Sequence, residues 1–98
     1  MDELTAFQRD VLYVIAGSDE PHGLAIKNLL KNYYGEDINH GQLYPNLDEL
    51  TEEGLLKKGQ KDNRTNWYKL TELGLETLQN RRSWEDELLE TTDLVSSP

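Results

Sequence analysis

The stretch His40-Gly41-Gln42-Leu43-Tyr44-Pro45-Asn46-Leu47-Asp48-Glu49-Leu50, continued past Gly54 by Leu55-Leu56-Lys57-Lys58-Gly59-Gln60-Lys61-Asp62-Asn63-Arg64-Thr65-Asn66-Trp67-Tyr68-Lys69-Leu70, decides how the rest of the chain is read. Its first part sets leucines at 43, 47 and 50, the spacing of one buried helix face, and Gly54 closes the helix. Pro45 clashes with the carbonyl four residues before it, so this helix is expected to start at about Gly41 to Leu43 or to be distorted in its first turn. The second part changes character. Residues 57–60 and the β-branched and aromatic run 65–70 flank the polar turn Lys61-Asp62-Asn63-Arg64, which predicts a hairpin.

Towards the N-terminus, Thr5-Ala6-Phe7-Gln8 is a capping-box pattern, followed by Phe7, Val11, Leu12, Val14 and Ile15 at helical spacing. A first helix is expected from about Thr5 to Ala16. Residues 17–21 read as a turn, and Leu24, Ile26, Leu29, Leu30 and Tyr33 form a second helical stripe ended by Gly35. Towards the C-terminus, Thr71 is a good N-cap, and the chain stays helix-compatible to about Thr92, long enough for a helix of roughly 30 Å at about 1.5 Å per residue.

In that last helix Leu75, Leu78, Arg82, Glu85 and Leu89 recur at spacings of three and four, with Leu88 beside them. So small a domain cannot cover the far half of so long a helix. The same helix of a second copy, in a two-fold coiled-coil-like contact, is the natural partner, and it fits better than a frayed acidic helix that happens to carry leucines. The expected organisation is therefore 1–71 as one compact unit, 72–93 as a dimerisation helix and 94–98 as a disordered tail.

A chain of 98 residues, 36% of them hydrophobic, holds one domain with a modest core, which also favours homo-oligomerisation. The absence of cysteine excludes disulfides, thiolate-bound zinc and a thiol redox switch. The longest apolar run, residues 11–16, is far short of a membrane span, and no basic-then-apolar leader pattern is present, so a cytoplasmic protein without membrane contact is expected.

The net charge of −9 is unusual for a partner of phosphates. Residues 57–69, however, carry Lys57, Lys58, Lys61, Arg64 and Lys69 against Asp62, a net +4 within the total of −9, which leaves −13 on the remainder. A surface acidic everywhere but one basic hairpin suits a cytoplasm salty enough to screen self-repulsion, with potassium or other cations bound at the acidic surface. That points to a halophile. From charge alone, an ordinary acidic protein with a solvated lysine cluster fits equally well.

Three helices followed by a hairpin is the order of a winged helix-turn-helix, an α+β and mostly helical class, here with the long C-terminal dimerisation helix appended. In that arrangement the third helix enters the major groove of duplex DNA, and the hairpin wing reaches the neighbouring backbone or minor groove. Gln42, Tyr44, Pro45 and Asn46 crowd the start of the helix, where Gln and Asn amides can pair with adenine. Its later half carries Asp48, Glu49, Glu52 and Glu53, which phosphates repel, so only the first turns can enter. On the wing Lys61, Asn63, Arg64 and Thr65 supply donors suited to phosphate contacts. Trp67 is assigned to the core rather than to base stacking.

The run from His40 to Leu50, continuing through Glu53-Gly54-Leu55-Leu56, resembles the third-helix signature of PadR-type transcriptional regulators: Gly, then Leu-Tyr-Pro, Leu-x-x-Leu and a later Gly-Leu. Pro21-His22-Gly23-Leu24-Ala25-Ile26 is similar to that family's start of helix two, and Tyr68-Lys69-Leu70-Thr71-Glu72-Leu73-Gly74 to the end of its wing. With the acidic surface, the resemblance is to a short haloarchaeal branch. It implies a homodimer on a pseudo-palindromic site, with His40, Gly41, Gln42, Tyr44 and Asn46 facing DNA from the helix and Lys61, Asn63, Arg64 and Thr65 from the wing. The chain departs from many members in having one C-terminal helix in place of a multi-helix domain, so effector binding does not carry over.

Catalysis has no support in the sequence. His22 and His40 lie on different elements without companion ligands, no Ser-His-Asp set, glycine-rich phosphate loop or zinc motif occurs, and no cofactor is expected. The runs Glu52-Glu53 and Glu85-Asp86-Glu87 read as solvated helix faces. The stronger rival is a winged helix that binds protein. It would require an exposed apolar patch where this chain sets Gln42 and Asn46.

Overall fold

The computed structural model describes residues 3–62 and 64–94, so the expectations for Asn63 and for a tail at 95–98 lie outside the described residues. Helix α1 spans Ala6–Ala16, α2 Gly23–Tyr34 and α3 His40–Glu52; strands β1 (Leu56–Gln60) and β2 (Asn66–Leu70) follow, and α4 covers Glu72–Glu90. The order is that of the winged helix-turn-helix, with α1 in the middle against α2, α3, α4 and β2. The α1 start is the capping box read from the sequence: Thr5 Oγ1 accepts from Gln8 N at 3.0 Å, and Gln8 Oε1 accepts from Thr5 N at 3.0 Å. Helix α3 begins at His40, earlier than Pro45 suggested. Asn39 caps it, accepting from Gly41 N at 2.7 Å. The proline's cost is confined to one carbonyl, that of Gly41, whose partner four residues on has no N–H.

Leu43, Leu47 and Leu50 of α3 are fully buried and meet Val11, Leu12 and Ile15 of α1 and Ile26 and Leu30 of α2 in a single core. The hairpin closes that core from below. It pairs antiparallel from Leu56 opposite Leu70 to Gln60 opposite Asn66, so that Tyr68 faces inward at 1% exposure. Burial raises the Tyr68 phenol above its ordinary value, with the nearby Asp48 carboxylate adding to the effect. Trp67, expected in the core, lies on the opposite face of β2, half-buried across Gly59. The period of two makes one of two adjacent aromatics face outward, and Tyr68 takes the inner place.

Helix α4 leaves the sheet at Thr71, whose Oγ1 accepts from Gly74 N at 3.0 Å and donates to the Gly54 carbonyl at 2.7 Å. Gly74 lies so close to the base of the wing that a Cβ there would collide with the Leu55 carbonyl oxygen and the Leu70 side chain. One turn on, Leu78 enters the core at 3% exposure. This corrects the reading of Leu78 as a dimer contact: it is buried within its own protomer, in the same core as Val11, Leu12 and Ile15 of α1, against which α4 packs. Beyond it no residue from Arg82 to Glu90 is buried.

Leu78→Ala is therefore expected to lower stability by about 2–5 kcal/mol, as for other buried leucines, and by the same amount at any protein concentration. Melting followed by circular dichroism over a hundredfold dilution checks this; a loss that vanishes on dilution would return Leu78 to an interface.

Candidate nucleic-acid interface

The leucine stripe fixes the rotation of α3 and so decides which residues of its first turns stay in water. His40, Gly41 and Gln42 are exposed. The His40 ring lies 4.3 Å from that of Tyr44 at an interplanar angle of 36°. Tyr44 is half-buried, and its hydroxyl end occupies the space that a Cβ on residue 23 would need, so glycine at that position lets α3 seat against the start of α2.

Asn46 is placed differently from its neighbours. Its Nδ2 donates to the Gln42 carbonyl at 2.7 Å, and its Oδ1 accepts from Gln8 Nε2 at 3.0 Å. The amide that looked free in the sequence is engaged on both sides. Gln42, one turn earlier, has its side chain in water.

The wing tip is closed by hydrogen bonds. Lys61 N donates to the Thr65 carbonyl at 2.8 Å, and Asp62 Oδ1 accepts from Arg64 N at 2.8 Å and Thr65 N at 2.9 Å. Donation from Arg64 and then from Thr65 holds the Asp62 carboxyl below its ordinary range. The one acid of the basic segment thereby serves the turn, while the Lys61 and Arg64 side chains remain exposed.

The helix and the wing meet. A cleft of about 170 Å³ is lined by His22, Gly23, Tyr44, Arg64, Thr65 and Tyr68, joining the start of α2, the outer edge of α3 and the wing. His22 was not among the site residues expected from sequence. It is the N-cap residue of α2 without a side-chain capping bond, leaving its ring exposed beside the cleft. The acids on the later half of α3 are partly engaged. Lys58 Nζ lies 3.6 Å from Asp48 Oδ1, and Glu49 accepts from Gln8 Nε2, which leaves Glu52 and Glu53 exposed at the far end.

On α4 the exposed large apolar side chains are Leu73, Leu75, Trp84, Leu88 and Leu89. Arg82 is exposed, and Glu85 accepts from Arg81 Nε at 3.0 Å while the Arg81 guanidinium lies 4.7 Å over the Trp84 ring. A largely apolar groove of about 500 Å³ between the N-terminal end of α1 and α4 is lined by Leu4, Arg9, Thr77, Arg81 and Trp84 among others. The sequence stripe thus lies one helical position away from the groove. Trp84 was missed because its neighbours at that spacing, Thr77 and Arg81, are polar. Among the described residues no group of three His, Cys, Asp or Glu could hold a metal ion, and no helix is long and apolar enough to cross a membrane.

Helix-turn-helix, wing and trailing helix together define a winged-helix transcriptional regulator of the kind that the Leu-Tyr-Pro block suggested. Residues 11–80, well over half of the chain, match the transcriptional regulator PadR-like family. The chain belongs to that family, whose members are regulators and not enzymes. Among solved structures it is similar to RosR of H. salinarum, at 44% identity and a TM-score of 0.86 over 92% of this chain and 81% of that one. The same protein in its complex RosR-S1 gives 45%, 0.85, 91% and 79%. A PadR-like transcription factor from Bacteroides fragilis shares the fold at 22% identity, with a TM-score of 0.78 over 92% and 89% of the two chains. No curated protein matches significantly.

Proposed function

We propose that this regulator acts as a cytoplasmic homodimer on a pseudo-palindromic duplex DNA site, in a cell that keeps its interior rich in salt. The observation that carries the reading is the 170 Å³ cleft, where Tyr44 of α3 and Arg64 and Thr65 of the cationic wing line one surface, while the His40 to Gln42 turn and Lys61 stand exposed to water. That is the geometry of a helix in the major groove with a wing on the flanking backbone.

Within this reading Gln42, whose amide is free, is the principal base reader, with His40 and Gly41 beside it. Tyr44 lines the edge of the contact. Lys61, Asn63, Arg64 and Thr65 hold the phosphates, and Asn46 braces the helix rather than pairing with a base. Substituting Gln42 by Ala should cost about 1–3 kcal/mol on a duplex selected by the wild type and little on a scrambled one. Arg64→Ala should weaken both alike, since a phosphate contact carries no direct sequence information. Fluorescence titrations with the two duplexes make the test. Equal losses for Gln42→Ala, or selective ones for Arg64→Ala, would exchange the roles.

The second copy is held through α4. Leu75, Leu88 and Leu89, flanked by Arg82 and Glu85, present an apolar strip on a helix that its own core does not cover, and Trp84 extends it towards the α1 groove. The double substitution Leu88→Asp, Leu89→Asp should yield folded monomers, read as a halved mass in sedimentation with an unchanged circular dichroism spectrum. A dimer that survives would move the interface off this strip.

Salt enters through the acids on α3. Glu52 and Glu53 have no basic partner on the helix, so DNA brought to its first turns attracts cations between carboxylate and phosphate, potassium foremost in such a cytoplasm. Cation uptake there opposes cation release at the wing. Affinity should accordingly change little, or rise, as KCl increases to molar levels. Glu52→Gln with Glu53→Gln should restore the usual decline; a steep decline in the wild type, unaltered by the pair, would remove cation uptake from the account.

A further inference from the structure

Gln8 is the one polar side chain buried in the core among the described residues, at 4% exposure. Its carbonyl oxygen completes the α1 capping box, a task that a glutamate performs as well. Its amide nitrogen does something a glutamate cannot. It donates one hydrogen to Asn46 Oδ1 at 3.0 Å and the other to Glu49 Oε2, spanning 38 and 41 residues to the outer flank of α3. Both donors of a buried amide are thus committed from α1 to α3 while its oxygen serves the α1 cap, and leaving those donors unmet would be costly.

The bond continues outward. Asn46, oriented by Gln8, turns its Nδ2 onto the Gln42 carbonyl at 2.7 Å. This is the turn that Pro45 weakens, because the adjacent Gly41 carbonyl has lost its donor. A side-chain donor at Gln42 braces the backbone where the helix ladder is interrupted. The same amide of Gln8 holds the Glu49 carboxylate against α1.

We propose that Gln8 is a positioning residue for base readout: through Asn46 it fixes the turn of α3 that presents Gln42, without itself reaching the duplex. The inference rests on the assignment of Gln42 as base reader. Loss of Gln8 frees the Asn46 amide to rotate, loosens the Gln42 turn and lowers discrimination between duplexes, while the wing keeps its hold on the backbone.

The test uses the full chain in molar KCl and two duplexes, one selected by the wild type from a random-sequence library and one scrambled. Affinities for both are measured for wild type, Gln8→Met, Gln8→Glu, Asn46→Ala and the double Gln8→Met, Asn46→Ala variant, with melting temperatures alongside. Gln8→Met should reduce the ratio of selected to scrambled affinity by about tenfold and change scrambled binding by less than about twofold. Gln8→Glu keeps the cap and the volume but removes both donors, and should lose discrimination as well, which covers a methionine variant that does not fold. The double variant should lose no more than either single one, as expected of one chain of contacts. A lowered melting temperature with the affinity ratio intact in either folded Gln8 variant would make Gln8 a purely structural residue and overturn the proposal. A wild type that prefers no duplex over another would instead overturn the base-reading assignment beneath it.

Discussion

Leu43, Leu47 and Leu50 must leave water on one side of a helix whose first turn has to stay in it, and nearly every other feature answers that demand. With all three leucines fully buried, the rotation of α3 is fixed and His40, Gly41 and Gln42 face outward. The leucines need a floor and a wall. Tyr68 and Leu56 of the hairpin provide the first, and Val11, Leu12 and Ile15 of α1 the second. Because the hairpin is part of that floor, the wing stands at a set distance from the helix start, and the Lys58–Asp48 pair at 3.6 Å spans the joint on its exposed side. Exposed ion pairs of this kind contribute little to stability. Its effect is on charge, since it removes one carboxylate from the field met by a polyanion.

Local signals carried most of the fold. The capping box at Thr5 and Gln8, the leucine spacing of α3, the turn at Lys61 to Arg64 and the Thr71 cap each depend on residues a few positions apart, and each lies where the sequence put it. Trp67 and Tyr68 failed that kind of reading because a strand offers two faces and adjacent aromatics fit either; only the pairing of Leu56 with Leu70 sets the parity. Leu78 illustrates a second limit. Helical spacing reveals which side of α4 is apolar but not what covers it: Leu78 is covered by the same chain, whereas Leu75, three residues earlier on that side, is left exposed.

The site was legible as a list of donors and less so as a list of free ones. Gln42 and Asn46 look equivalent in sequence, four apart at the start of one helix, yet a glutamine 38 residues before Asn46 claims one and leaves the other in water. The acids of α3 divide in the same way: Asp48 and Glu49 find partners on the hairpin and on α1, and Glu52 and Glu53 do not. The basic wing and the acidic remainder are therefore separated within one small domain, so a protein of net charge −9 can still offer a cationic tip.

The isolated bridge between His22 and Trp67, with Tyr68 N donating to the Pro21 carbonyl at 3.0 Å, has a consequence for self-association. Left bare, the outer edge of β2 would offer a row of backbone donors and acceptors to any passing strand, and high salt removes the electrostatic repulsion that keeps such edges apart. The two residues ahead of α2 occupy part of that edge, and Pro21, lacking an N–H, cannot extend the ladder. Pro21 and His22 thus give the hairpin a blunted border, a device against sheet-to-sheet pairing that does not depend on charge.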